Sequence, residues 1–163
     1  MEYLVQISKY NRNRIKYGDE KHLKGAELFC RKTRRNIFTG VVPPVFTSSD
    51  FRNTYSIVGF CGIDERSTPM HYSITQGNNN ADNFALQVQL AVASGFLKPY
   101  DVLVLDRAAI HTGGQNASLK ELLWDEYRIF ILLLPARTPE WNPIELVCNI
   151  LVSRLGTISL HFV

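Results

Sequence analysis

Hydrophobic and polar positions change period along this chain. Residues 13–23 and 25–32 read as two short strands, and residues 54–63, TYSIVGFCGI, rich in β-branched and aromatic side chains, read as a third. A further strand or hairpin arm is expected over 70–75. Over 79–96 the spacing turns helical: Phe84, Val88, Ala91 and Val92 recur three or four apart, Asn80 and Asp82 compete as the cap, and Gly95 is placed to end the helix. Residues 101–105, DVLVL, form a short apolar run of the kind buried on both faces of a sheet. A helix is expected over 116–127, with Leu119, Leu122 and Leu123 on one side, and a second buried strand over 128–134, RIFILLL. A turn-rich loop, 135–141, leads to a closing helix over 142–155, with Ile144, Val147, Leu151 and Leu155 on one face. Residues 36–50, with Pro43, Pro44 and Gly40, read as a long connection. The order β-β-β-α-β-α-β-α predicts an α/β fold: a mixed sheet flanked by helices.

Composition narrows the class. A chain of 163 residues, 45% hydrophobic and 11% aromatic, holds one sizeable core and not two. The apolar run 129–135 is far below the ~20 residues that span a bilayer, so no membrane partner is expected. The opening MEYLVQISKY lacks the basic start and apolar stretch of a secretory signal. Cys30, Cys61 and Cys148 are scattered and odd in number, which argues against a disulfide framework or a zinc site and for a reducing compartment. The expected location is intracellular: nuclear in a eukaryote, cytoplasm or nucleoid in a bacterium.

Charge is uneven. Residues 1–35 hold ten Lys/Arg against four Asp/Glu, whereas residues 36–163 are net acidic. A basic front on a near-neutral body points to a polyanion, nucleic acid first, with segment 9–35 as the contact. A solvated surface is the plainer alternative.

Three acids stand at element ends. Asp106 follows the 101–105 strand, where open α/β sheets place their ligands, or it simply turns the chain. Asp19, in KYGDEKH, closes the first strand or starts a hairpin turn, with Glu20 on the opposite face. Glu145, in Asn142-Pro143-Ile144-Glu145, completes a capping box or projects toward a strand end. Carboxylates brought together would repel, and a divalent cation removes that conflict.

The segments VLVLDRAAIHTGG and LLLPARTPEWNPIELVCNIL resemble the signature of DDE superfamily endonucleases of the Tc1/mariner and IS630 transposase group. That signature is an apolar strand ending in Asp-Asn, a His five residues after the Asp, and a Leu-Pro-x-x-(Ser/Thr)-Pro-x-x-Asn-Pro-Ile-Glu stretch. The matching positions are Asp106, His111, Leu134-Pro135, Thr138-Pro139 and Asn142-Pro143-Ile144-Glu145, and KYGDEKH is similar to the first-strand Asp-Glu motif. The resemblance runs from Tyr17 to Leu155. It implies an RNase H-like core over 19–155, preceded by a basic segment, 1–18, and followed by a tail, 156–163. It implies Asp19, Asp106 and Glu145 as a triad holding Mg²⁺ or Mn²⁺, two ions in all. It also implies nicking of DNA at transposon ends, attack of the freed 3′-hydroxyl on target DNA, and a homodimer. His111 carries over as a motif position only.

Two departures qualify the match. Arg107 stands where the group usually has Asn, and a cation there competes with metal for Asp106. Too few residues precede Asp19 for the helix-turn-helix region of a whole transposase, so a truncated or isolated core is expected. The alternative reading is an inactive, transposase-derived module that binds DNA or a protein partner. A small-molecule α/β enzyme has no support, since no P-loop, G-x-G-x-x-G or G-x-S-x-G is present.

Overall fold

The computed structural model describes residues 2–24, 54–63, 70–107 and 114–158. A short helix α1 (Glu2–Ile7) and a 3-10 turn (Arg12–Arg14) lead into β1 (Ile15–Lys24). There follow β2 (Thr54–Gly62), β3 (Met70–Gln76), α2 (Ala81–Ala93), β4 (Val102–Leu105), α3 (Gly114–Tyr127) and β5 (Phe130–Leu133). A 3-10 turn (Pro139–Trp141) then opens α4 (Pro143–Ile158). The five strands form one sheet in the order β3-β2-β1-β4-β5. β1, β2 and β3 pair antiparallel, while β4 pairs parallel with both β1 and β5. The mixed sheet with flanking helices is the predicted class. The strand expected over 25–32, the connection over 36–50 and His111 lie outside the described residues.

Period-two alternation sorts the core onto two faces. Val58, Phe60, Leu103 and Leu105 point to one side, beneath Phe84 and Val88 of α2 and Leu119 and Leu123 of α3. Ile15, Tyr17, Cys61, Val102 and Val104 point to the other, beneath Ile144 and Cys148 of α4. Every residue of β4 is buried because both faces are covered, which is why its sequence reads as an unbroken apolar run. Gly18 faces the first core. A Cβ there would meet Leu105 Cδ2 at 2.8 Å and Phe60 Cδ1 at 2.9 Å, so only glycine lets those two side chains close over the strand.

The ends of α2 resolve the competing cap candidates. Asn80, not Asp82, accepts the Asn83 N–H at 2.8 Å. Gly95 takes φ +75°, and the Phe96 and Leu97 N–H groups both return to Ala91 O at 3.0 Å. The unpredicted element is α1, whose six residues carry too weak a local signal to stand alone. Packing holds it: Tyr3 and Ile7 lie against the α4-side core, and Tyr3 stacks on Trp141 at 5.7 Å between ring centroids.

A polar clamp fixes β1 and β2 to the start of α2. The buried Ser56 hydroxyl donates to Gly77 O at 2.7 Å, accepts the Asn79 N–H at 3.1 Å and lies 2.8 Å from His22 Nδ1. Asn79 Nδ2 donates to Glu20 at 2.6 Å. Glu20 therefore belongs to this clamp, on the face away from Asp19. Replacing Ser56 with Ala leaves several buried polar groups short of a partner, and urea unfolding should show a loss of about 1–3 kcal/mol. A loss below ~0.5 kcal/mol would mean the clamp carries no stability.

Candidate functional site

The parallel pairing of β1 and β4 sets the first two acids. Ile15 lies opposite Val102, Lys16 opposite Leu103 and Tyr17 opposite Val104. Continued two residues past the last of these pairs, the same register would set Asp19 opposite Asp106, which follows the end of β4 at Leu105. Alternation puts both on the α4 side of the sheet, with Tyr17 and Val104. Asp19 is still inside the ladder, opposite Gly59 of β2, and its Oδ1 accepts the Glu20 N–H at 2.8 Å.

Gly59 also admits the third acid. A Cβ at this position would meet Ile144 Cδ1 at 3.1 Å, so the missing side chain lets the first turn of α4 lie close on the sheet beside Asp19. Glu145 follows Ile144 and stands one turn before Cys148. The Cys148 thiol is pushed up to about 11 by burial first, then by the Asp19 charge, with a further push from Glu145 that Lys21 partly opposes. One thiol thus feels both carboxylates.

Asp106 and Glu145 line one cavity of about 400 Å³, together with Arg107, Pro135, Thr138 and Asn142. Asp19 does not line it. The cavity's outer wall is the loop after β5. Leu134 N–H donates to Leu105 O at 2.8 Å, the Thr138 hydroxyl donates to Pro135 O at 2.9 Å, and Arg137 takes φ +62° to turn the chain.

The capping box expected at Asn142 and Glu145 is not formed. The Glu145 N–H bonds the Asn142 carbonyl at 3.1 Å, while the buried Asn142 Oδ1 has no hydrogen-bond partner among the described residues. With Asn142 turned inward, the Glu145 carboxylate lines the cavity. Arg107 Nε donates to Leu134 O at 3.0 Å, so this side chain is anchored across the ends of β4 and β5. Sequence reasoning missed Gly59 and the inward Asn142. Two glycines flanking Phe60-Cys61 in a buried strand were the available signal for the first.

Among the described residues, no group of three or more His, Cys, Asp and Glu side chains is gathered tightly enough to hold a metal ion as it stands. The donor set still suits Mg²⁺ or Mn²⁺. Such ions take one or two carboxylates and complete their shell with water and substrate phosphate, rather than a full protein cage. Asn142, whose buried Oδ1 has no partner among the described residues, is also part of the cavity wall.

A family model described as DDE superfamily endonuclease matches residues 15–160. The chain belongs to this family. Among solved structures, the DDE chain is similar to the Mos1 transposase paired-end complex with left transposon end. The two are 18% identical with a TM-score of 0.65, over 93% of this chain and 46% of that one. It is also similar to the catalytic domain of Mos1 mariner transposase (15% identity, TM-score 0.53, 92% and 67% covered). The catalytic core domain of BIV integrase is a third match (11% identity, TM-score 0.51, 90% and 72% covered). At these identities the likeness is one of fold, and the fold of the DDE chain is RNase H-like. The chain spans about half the length of the Mos1 transposase in its DNA complexes. No curated protein matches it.

The buried thiols predict an alkaline transition. Cys61 and Cys148 are both raised from 9.0 to about 11, chiefly by burial, and Tyr17 and Tyr3 are raised in the same direction for the same reason. These groups ionise first in the unfolded chain, so stability is full below pH 9 and falls as pH rises toward 11. Thermal unfolding across that range should show the fall, and a Cys61→Ala/Cys148→Ala variant should show a shallower one. An equal slope in the variant would contradict the assignment.

Proposed function

We propose that this chain is the catalytic core of a DDE-type transposase that cleaves DNA phosphodiester bonds and transfers the freed strand. The observation that carries the reading is the β1–β4 register, Ile15 opposite Val102 to Tyr17 opposite Val104, which if continued by two residues would set Asp19 opposite Asp106. In this proposal Asp19, Asp106 and Glu145 are the metal ligands and the catalytic residues, with two divalent ions. When bound, the ions supply activation of a water or sugar hydroxyl and neutralisation of the leaving oxygen. The chain's own part is placement. Asp19 is held inside a ladder, Asp106 leaves a fully buried strand, and Glu145 sits on the first turn of a helix wedged against Gly59. Rigid elements position reacting groups better than loops do.

The family match supports this reading, as does a solved Mos1 mariner paired-end complex with Mn. By the same resemblance two copies of the chain are expected to assemble on DNA. The basic segment 9–35 contributes Lys9 and Arg12 to that contact. Arg14 is half exposed, with its Nη1 on Asp101 at 3.3 Å. A second reading, an inactive DNA-binding module, is favoured by Arg107 in place of Asn.

Supercoiled plasmid incubated with the chain and Mn²⁺ should be nicked, and Asp106→Ala should reduce nicking to the uncatalysed background. Equal rates for the two would leave the inactive module as the better reading. Metal binding is read separately. Mn²⁺ at a hundred times its dissociation constant should raise Tm by roughly 5–10 °C. Asp106→Asn should abolish that rise, and a wild-type chain without it would refute the metal site.

A further inference from the structure

A second cavity, of about 410 Å³, opens at the other end of the central strands. Asn13 and Arg14, just before β1, and Asp101, just before β4, form part of its wall. Ser94 at the end of α2, Phe96 and Lys98 form more of it. Into this space runs Lys16. Alternation sets it on the α2 side of the sheet, opposite to Asp19, and three residues of strand put the two about 10 Å apart along β1.

Lys16 is only 5% exposed. Its Nζ lies 5.3 Å from the centroid of the Phe96 ring, and it makes no hydrogen bond or ion pair among the described residues. Gly62 makes room for it, since a Cβ there would stand 2.7 Å from Nζ. A buried ammonium with no counter-charge among the described residues is costly, and one aromatic face offsets only part of that cost.

The described groups nearby do not supply a counter-charge. Asp101, the only carboxylate among the described residues of the wall, accepts Arg14 Nη1 at 3.3 Å on one oxygen and the Lys98 N–H at 2.9 Å on the other. Three carbonyls in the last turn of α2 are also occupied. Ala91 O accepts the Phe96 and Leu97 N–H groups, Leu90 O accepts that of Ser94, and Val92 O that of Gly95. Among the described lining residues, Arg14, Lys16 and Lys98 against Asp101 leave two net positive charges.

We propose that this cavity binds a phosphoryl group, with Lys16 Nζ as the buried donor and Lys98 and Arg14 at the rim. A DNA backbone and free phosphate share that chemistry. The DNA source rests on the transposase reading above, while the phosphate site itself does not.

The test is the Tm of the whole chain in inorganic phosphate against sodium chloride of equal ionic strength. Phosphate should stabilise the wild type by mass action. Lys16→Met, which keeps the stem and removes the charge, should lose the response, and the exposed Lys98→Gln should weaken it. Asp106→Asn should keep it in full, which separates failure here from failure of the carboxylate site. The source is then read from binding to a short fluorescent duplex at several salt concentrations. If Lys16→Met lowers the slope of log K against log salt by about one, the phosphate is DNA's. An unchanged slope with a lost phosphate response assigns a free anion. The proposal fails if phosphate gives the wild type nothing beyond chloride, or if Lys16→Met responds as the wild type does. Should Lys16→Met not fold, an undiminished response in Lys98→Gln overturns it.

Discussion

The parallel pairing of β1 with β4 is the constraint on which the rest of this molecule depends. Three residue pairs, Ile15–Val102, Lys16–Leu103 and Tyr17–Val104, set the alignment of two strands that are far apart in sequence. Side chains alternate with period two, so a slip of one residue would send Asp19 into the core under α2 and expel Lys16 from its cavity. Burial forbids that slip. Tyr17 on one side and the Gly18 gap, filled by Leu105 and Phe60, on the other fit only one register.

Helix α4 reaches the sheet because the sheet has a hole for it. Gly59 removes a side chain where Ile144 must pass, and Ile144 in turn carries Glu145 to the mouth of the strands. The helix start gives up a side-chain cap, and the buried Asn142 Oδ1 is left without a partner among the described residues. Unpaired buried polar atoms are costly, and they concentrate where a molecule does chemistry. The Tyr3–Trp141 stack braces the same stretch from outside, so the short α1 helps hold the loop that delivers Glu145.

Charges of opposite sign are separated along β1. Asp19 lies midway along the strand on one face, and the cationic cavity lies at its amino end on the other. The formal net charge of +3 conceals this separation. Both sites follow from the same alternation, because residues 16 and 19 differ by an odd number of positions. A polyanion that met both would be positioned at one end and would face carboxylates at the other.

Much of this was legible in the sequence. The order of strands and helices from residue 54 onward, the mixed α/β class, Gly95 as a stop and Pro143 as a helix start all follow from local spacing and backbone chemistry. The family was legible too, because a motif of acids and prolines in fixed order is a local property. What the tertiary structure decided are matters of contact. Asn80 rather than Asp82 caps α2, Glu20 joins a clamp with Asn79, and Glu145 lines a cavity instead of closing a capping box. Arg107 is tied to Leu134 O, and Lys16, which reads as one more surface cation, is buried. Sequence periodicity reports which face a residue is on. What stands opposite that face depends on partners brought from distant parts of the chain, and here the β1–β4 register and the gap at Gly59 brought them.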